Sequence, residues 1–122
     1  MPFDASVLDL LSSTREVLVE TRRRSGHVAS TIIWIVVDDG EVFVRSVRGP
    51  GARWYSRMVA DPEVTIVAGS SRIAARAVPA DDDVSRERAS RALRAKYSGR
   101  SLEAMLMPPT LPTTTRLVPG EG

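Results

Sequence analysis

The stretch Thr31 to Val37, reading TIIWIVV, restricts the fold more than any other part of the chain. β-Branched residues dominate it, and such side chains favour extended backbone over helix. Because apolar residues occupy successive positions rather than alternate ones, both faces of this strand, His27 to Val37, must be covered. The core can cover one face, and a partner subunit is a candidate for the other. Asp38, Asp39 and Gly40 follow at once. An Asp-Gly pair readily supplies the positive φ values of a tight hairpin, so the next strand, beginning at Val42, pairs back on this one.

The flanking chain supplies further strands and peripheral helices. Asp4 is placed to cap a first helix carrying Val7, Leu8 and Leu11 on one face. From Glu16 the pattern alternates, with Val17, Val19 and Thr21 on one side and Leu18, Glu20, Arg22 and Arg24 on the other. After Asp61 and Pro62, the stretches Val64–Ala68 and Arg72–Val78 read as two antiparallel strands joined through Gly69, Ser70 and Ser71. Asp81, Asp82 and Asp83 then open a helix with Ala89, Ala92, Leu93 and Tyr97 on its buried face; capping explains this acidic run better than metal binding. A short helix from Leu102 to Met107 stops at Pro108, Thr113–Val118 forms a last strand, and Pro119–Gly122 is expected to fray. About six strands with helices at the edge predict an α+β, mainly β domain, built as an antiparallel barrel or heavily curled sheet.

With 122 residues, a single domain spanning 1–122 is expected. No cysteine is present, which excludes disulfides, thiolate nucleophiles and cysteine-held metals, and a cytoplasmic location is expected. The run Ile32–Val37 falls far short of the ~18–20 apolar residues a membrane helix requires. The net charge is only +2, with acidic residues interspersed, so a continuous footprint for nucleic acid is not expected. His27, the one histidine, follows Gly26 in a turn and reads as a solvent-facing or hydrogen-bonded residue.

The stretch carrying the most chemistry is Val42 to Pro62, VFVRSVRGPGARWYSRMVADP. A strand runs into Arg45, Ser46 and Arg48, meets Gly49, Pro50 and Gly51, and restarts as a helix with Arg53, Trp54 and Tyr55. Strand, glycine loop and helix start can bring backbone N–H groups, guanidiniums and a hydroxyl together, as a phosphate-bearing small molecule requires.

These words, in this order, resemble the flavin-binding split-barrel superfamily, which includes pyridoxamine-phosphate-oxidase-like proteins and deazaflavin-dependent nitroreductases. The matching features are Arg22–Gly26 after the first strand, the Thr31–Val37 strand, the Val44, Arg45, Ser46 strand end with its glycine loop, and Arg53, Trp54, Tyr55 running to Ala60, Asp61 and Pro62. Within that group the chain is most similar to a bacterial subgroup sharing the words RSVRGP and RWY. The resemblance implies a six-stranded antiparallel split β-barrel homodimer with cofactor at the subunit interface. It implies Arg45, Ser46, Arg48 and Arg53 as phosphate ligands, with Val47 and Gly51 in the same loop and Trp54 and Tyr55 shaping it. Thr31, Ile32 and Ile33 would line the ring, while Arg24 and Ser25 match the basic-Ser-Gly element near a deazaflavin tail. One departure from the nitroreductase pattern is Ser56–Arg57, where an asparagine usually follows the Trp-Tyr pair; FMN and a deazaflavin of the F420 type both remain open as cofactor.

The implied activity is hydride transfer between that cofactor and a small organic substrate. Such chemistry belongs to the cofactor, so no catalytic side chain and no metal is expected. The alternative is a non-catalytic module on the same barrel that sequesters a cofactor, a tetrapyrrole or another anion.

Overall fold

The computed structural model describes residues 2–121. Helix α1 (Ala5–Ser13) leads into β1 (Val17–Arg22), β2 (Val28–Ile33), β3 (Val36–Asp38) and β4 (Glu41–Val44). A 3-10 turn at Gly49–Gly51 precedes α2 (Arg53–Ala60), followed by β5 (Glu63–Ala68) and β6 (Ser71–Pro79). Helices α3 (Asp83–Lys96) and α4 (Arg100–Met105), a 3-10 segment at Pro108–Thr113 and β7 (Thr115–Pro119) complete the chain.

All the strands join one antiparallel sheet in the order β2-β1-β5-β6-β7-β4-β3. The two ends of that order are consecutive in sequence. The chain therefore runs from one edge of the sheet straight to the other, which requires the sheet to curl until its edges face each other. Among the described residues, seven strands replace the six expected from the sequence because the run read as one strand, His27–Val37, breaks at Trp34–Ile35. Its first half pairs with β1 and its second with β4.

At the break, the backbone of Ile35 leaves the ladder and takes its partners from the end of α3. Its N–H donates to Tyr97 Oη (3.3 Å), and its carbonyl accepts from Lys96 Nζ (2.6 Å). Lys96 also donates to the Leu11 carbonyl (2.8 Å), and Tyr97 Oη donates to the Arg15 carbonyl (2.6 Å). Buried backbone groups need such partners once they leave a sheet.

Two apolar clusters result. Inside the curl lie Leu11, Val19, Ile33, Ile35, Met58 and Ile66, with Val17, Val42, Val44 and Trp54 among the others. Outside it, Val36 and Phe43 pack with Ala89, Ala92, Leu93, Tyr97 and Met105. β4 is thus covered on both faces, and α3 covers β3; the exposed side of β2 keeps Val28 and Ile32 in solvent, at 58% and 64%. The β1 alternation matches the sequence reading, with Val17, Val19 and Thr21 buried.

The Asp39–Gly40 hairpin has φ of +47° and +77°, as a primed turn demands. Asp82 caps α3 by accepting from the Ser85 N–H (3.1 Å). Asp4 precedes α1 but makes no side-chain cap bond; its carbonyl instead accepts from Leu8 N–H (3.0 Å). The expected fraying after Val118 is corrected at Pro119, which pairs with Ala75, and at Gly120, whose N–H donates to the Ala74 carbonyl (3.0 Å). Gly122 lies outside the described residues.

Candidate functional site

Beyond β4 the chain turns back sharply to start α2. Ser46 anchors this turn: its N–H donates to Thr113 Oγ1 (2.9 Å) and its hydroxyl donates to the Gly49 carbonyl (2.7 Å). Gly49 sits at φ +75°, and a Cβ there would lie 3.0 Å from the Pro109 carbonyl oxygen. Only glycine combines that conformation with so close an approach.

α2 then projects Arg53 and Arg57 from one face, since residues four apart are neighbours on a helix. Together with Arg48 from the loop and Arg23 from the β1–β2 turn, they line a cleft of about 840 Å³. Its wall also includes Thr31, Ile32, Ser46, Val47, Gly51 and Trp54, and no carboxylate. None of these four arginines forms an ion pair among the described residues. Arg57 alone is tethered, donating through Nε to Thr21 Oγ1 (2.8 Å). Four guanidiniums facing one cavity without a balancing acid repel one another, and an anion relieves that repulsion.

A second cleft of about 360 Å³ adjoins the first, sharing Ile32, Val47 and Trp54 with it. Its other walls are Ile33, Trp34, Met105 and Ala104, with Arg15, Glu16, Arg45 and Ser101 supplying the polar groups. Trp34 is fixed by stacking on Tyr97, and Trp54 meets Tyr55 edge-on at 6.2 Å. A charged trough next to an apolar slot suits a ligand with an anionic end and a flat, largely apolar end.

The residues singled out from the sequence fall into three groups. Ser46, Val47, Arg48, Gly51, Arg53, Trp54, Thr31 and Ile32 gather around the charged cleft, and Ile33 lines the apolar one. Arg45 does not join the other arginines: it is 2% exposed and turns into the apolar cleft and the base of α4. Arg24 and Ser25 occupy the exposed β1–β2 turn, outside both cleft walls, and Tyr55 is half-buried behind Trp54. Burial raises the Tyr55 hydroxyl pKa.

Arg23, Arg57 and Arg15 escaped the sequence reading. The i,i+4 spacing of Arg53 and Arg57 would have revealed the second; nothing local distinguished Arg23 from Arg24, because which of them faces the cleft depends on the turn geometry. His27 lies in the same exposed turn, and no cluster of three metal-binding side chains occurs among the described residues.

Similar architecture occurs in several solved structures. The conserved hypothetical protein Rv2991 of Mycobacterium tuberculosis superposes with a TM-score of 0.73 at 15% identity, over 100% of this chain and 82% of that one. HutZ, the heme storage protein of Vibrio cholerae, gives 0.69 at 14% identity over 100% and 93%. A Listeria innocua protein provisionally named as a pyridoxamine 5'-phosphate oxidase gives 0.67 at 14% identity over 93% and 90%. The fold is therefore the pyridoxamine-phosphate-oxidase-like split barrel. No curated protein matches the chain by sequence. The family model that does match, over residues 7–117, is described as an uncharacterized protein conserved in bacteria, DUF2255.

Proposed function

The chain belongs to the bacterial DUF2255 family, and we propose that it is an oxidoreductase that binds a phosphate-bearing flavin, FMN or a deazaflavin of the F420 type, across the two adjoining clefts. In this reading Arg48, Arg53, Arg57 and Arg23 hold the phosphate, with Ser46, Val47 and Gly51 shaping the loop beneath it. Thr31, Ile32 and Ile33, with Trp34 and Trp54, enclose the ring and exclude water from it. A cofactor tail leaving past Arg23 would meet Arg24 and Ser25 beyond the rim. When bound, the cofactor supplies the hydride chemistry, exchanging it with a small organic substrate. The observation that carries the proposal is the acid-free cavity of four guanidiniums opening directly into an aromatic-walled slot.

The exposed apolar residues Val28, Ile32 and Val47 border these clefts. A second copy of the chain packed there would roof the ring and complete the site, as in a homodimer with the substrate entering at the interface. Among the described residues no helix is long and apolar enough to cross a membrane.

A second reading, a non-catalytic module sequestering a tetrapyrrole, is favoured by the likeness to HutZ. Against it, neither cleft wall contains a histidine or cysteine to ligate a porphyrin iron. Titration of the purified protein with FMN, a deazaflavin and haemin, followed by cofactor and tryptophan fluorescence, separates the two. Saturable binding of a flavin-type molecule, followed by turnover with a reductant and an acceptor, supports the oxidoreductase; haemin binding alone overturns it.

A further inference from the structure

Arg45 is buried at 2% exposure where β4 meets the loop, and it has no carboxylate partner among the described residues. Its acceptors are all neutral: Thr114 Oγ1 from Nε (2.8 Å), the Met105 carbonyl from Nη1 (3.4 Å) and the Arg86 carbonyl from Nη2 (2.8 Å). Each terminal nitrogen carries a further N–H beyond these bonds. The nearest charges on α3 are mostly of the same sign, Arg86 and Arg94 against Glu87. Burial and these neighbours lower the Arg45 pKa to about 10, which still leaves it charged at neutral pH.

Removing a guanidinium from water without an opposite charge is costly, and an anion that reaches it offsets that cost. The apolar cleft gives an anion that access. Arg45 lines it beside Ile33, Trp34, Trp54 and Met105, whereas the phosphate cleft does not include it. The other cation of the apolar cleft, Arg15, is exposed and adjacent to Glu16.

Building on the two-cleft reading above, we propose that Arg45 is a specificity-determining residue of the apolar cleft, selecting flat head groups that carry negative charge at their inner edge. It acts as a fixed charge behind the slot, separate from the arginines that hold the phosphate. Uncharged rings of the same shape lose this attraction and bind less tightly.

Benzoate and benzamide, a flat anion and its neutral near-isostere, test this directly. Trp34 and Trp54 are the chain's only tryptophans and both line the cleft, so intrinsic fluorescence reports occupancy. The wild type is expected to bind benzoate at least tenfold more tightly than benzamide. Arg45→Gln reduces that ratio to within twofold, while Arg45→Lys and Arg15→Gln preserve it. Equal affinities in the wild type, binding of neither probe, or a preference that survives Arg45→Gln overturns the proposal.

Should Arg45→Gln fail to fold, a crystal structure of the wild type with benzoate decides instead. A carboxylate within hydrogen-bond distance of the Arg45 guanidinium supports Arg45 as the source of the preference, and a carboxylate turned to Arg15 or to solvent overturns it. FMN titration in parallel keeps the two conclusions apart. FMN binding without benzoate selectivity removes only the role of Arg45, and benzoate selectivity without FMN binding removes only the flavin reading.

Discussion

The indole of Trp34 lies flat on the phenol of Tyr97, with ring centroids 3.8 Å apart and planes within 3° of parallel. One ring forms a wall of the apolar cleft, and the other ends α3 while holding the Ile35 N–H and the Arg15 carbonyl through its hydroxyl. Tyr97→Phe keeps the stack but strands those backbone groups. It should cost about 1–3 kcal/mol in chemical denaturation, with the tryptophan emission of the folded state little changed.

The charged cleft predicts a division among the arginines. Arg53→Ala and Arg57→Ala should each weaken FMN or deazaflavin binding by about tenfold or more, as loss of a charge-assisted hydrogen bond does. Arg24→Ala, in the exposed turn outside the cleft wall, should change FMN affinity less than threefold. Fluorescence titration of the three variants checks the ranking; equal effects from Arg24 and Arg53 would remove the assignment.

Lys96 predicts a pH effect on stability. Burial lowers its pKa from 10.5 to about 8, so between those values the unfolded chain keeps a proton that the folded chain has released. Stability attributable to this group therefore rises with pH above about 8 and is lost as pH falls back through it. Urea unfolding at pH 7.5, 8.5 and 9.5 should show an upward trend in the wild type that is flattened in Lys96→Met.

Val28, Ile32 and Val47 form an apolar border that solvent alone does not favour. Ile32→Glu should convert a dimer to a monomer in sedimentation or gel filtration while leaving the far-ultraviolet circular dichroism intact. A wild type that runs as a monomer at tens of micromolar would exclude this face as a stable interface.

Local chemistry made most of the architecture readable. The Asp39–Gly40 turn, the β1 alternation and the buried face of α3 depend on neighbours within a few residues, and the structure reproduces them. The break at Trp34–Ile35 was invisible because nothing in TIIWIVV punctuates the strand; it is imposed by closure of the sheet and satisfied by Lys96 and Tyr97, some sixty residues away. The same holds for the site. The loop arginines Arg48 and Arg53 could be grouped by their spacing around Gly49–Gly51, yet the inward turn of Arg45 depends on Thr114, Met105 and Arg86, whose positions follow only from the tertiary fold.

The place of β7 between β6 and β4 bears on how the molecule is made. Val42 must wait for Leu117, and Val78 for Arg116, before β4 and β6 gain a neighbour on their facing sides. On the ribosome, strands up to β6 can emerge and pair, but the seam between the two halves stays unzipped until β7 has itself left the exit tunnel. Nascent chains stalled short of that point should therefore expose open sheet edges at β4 and β6 to chaperones.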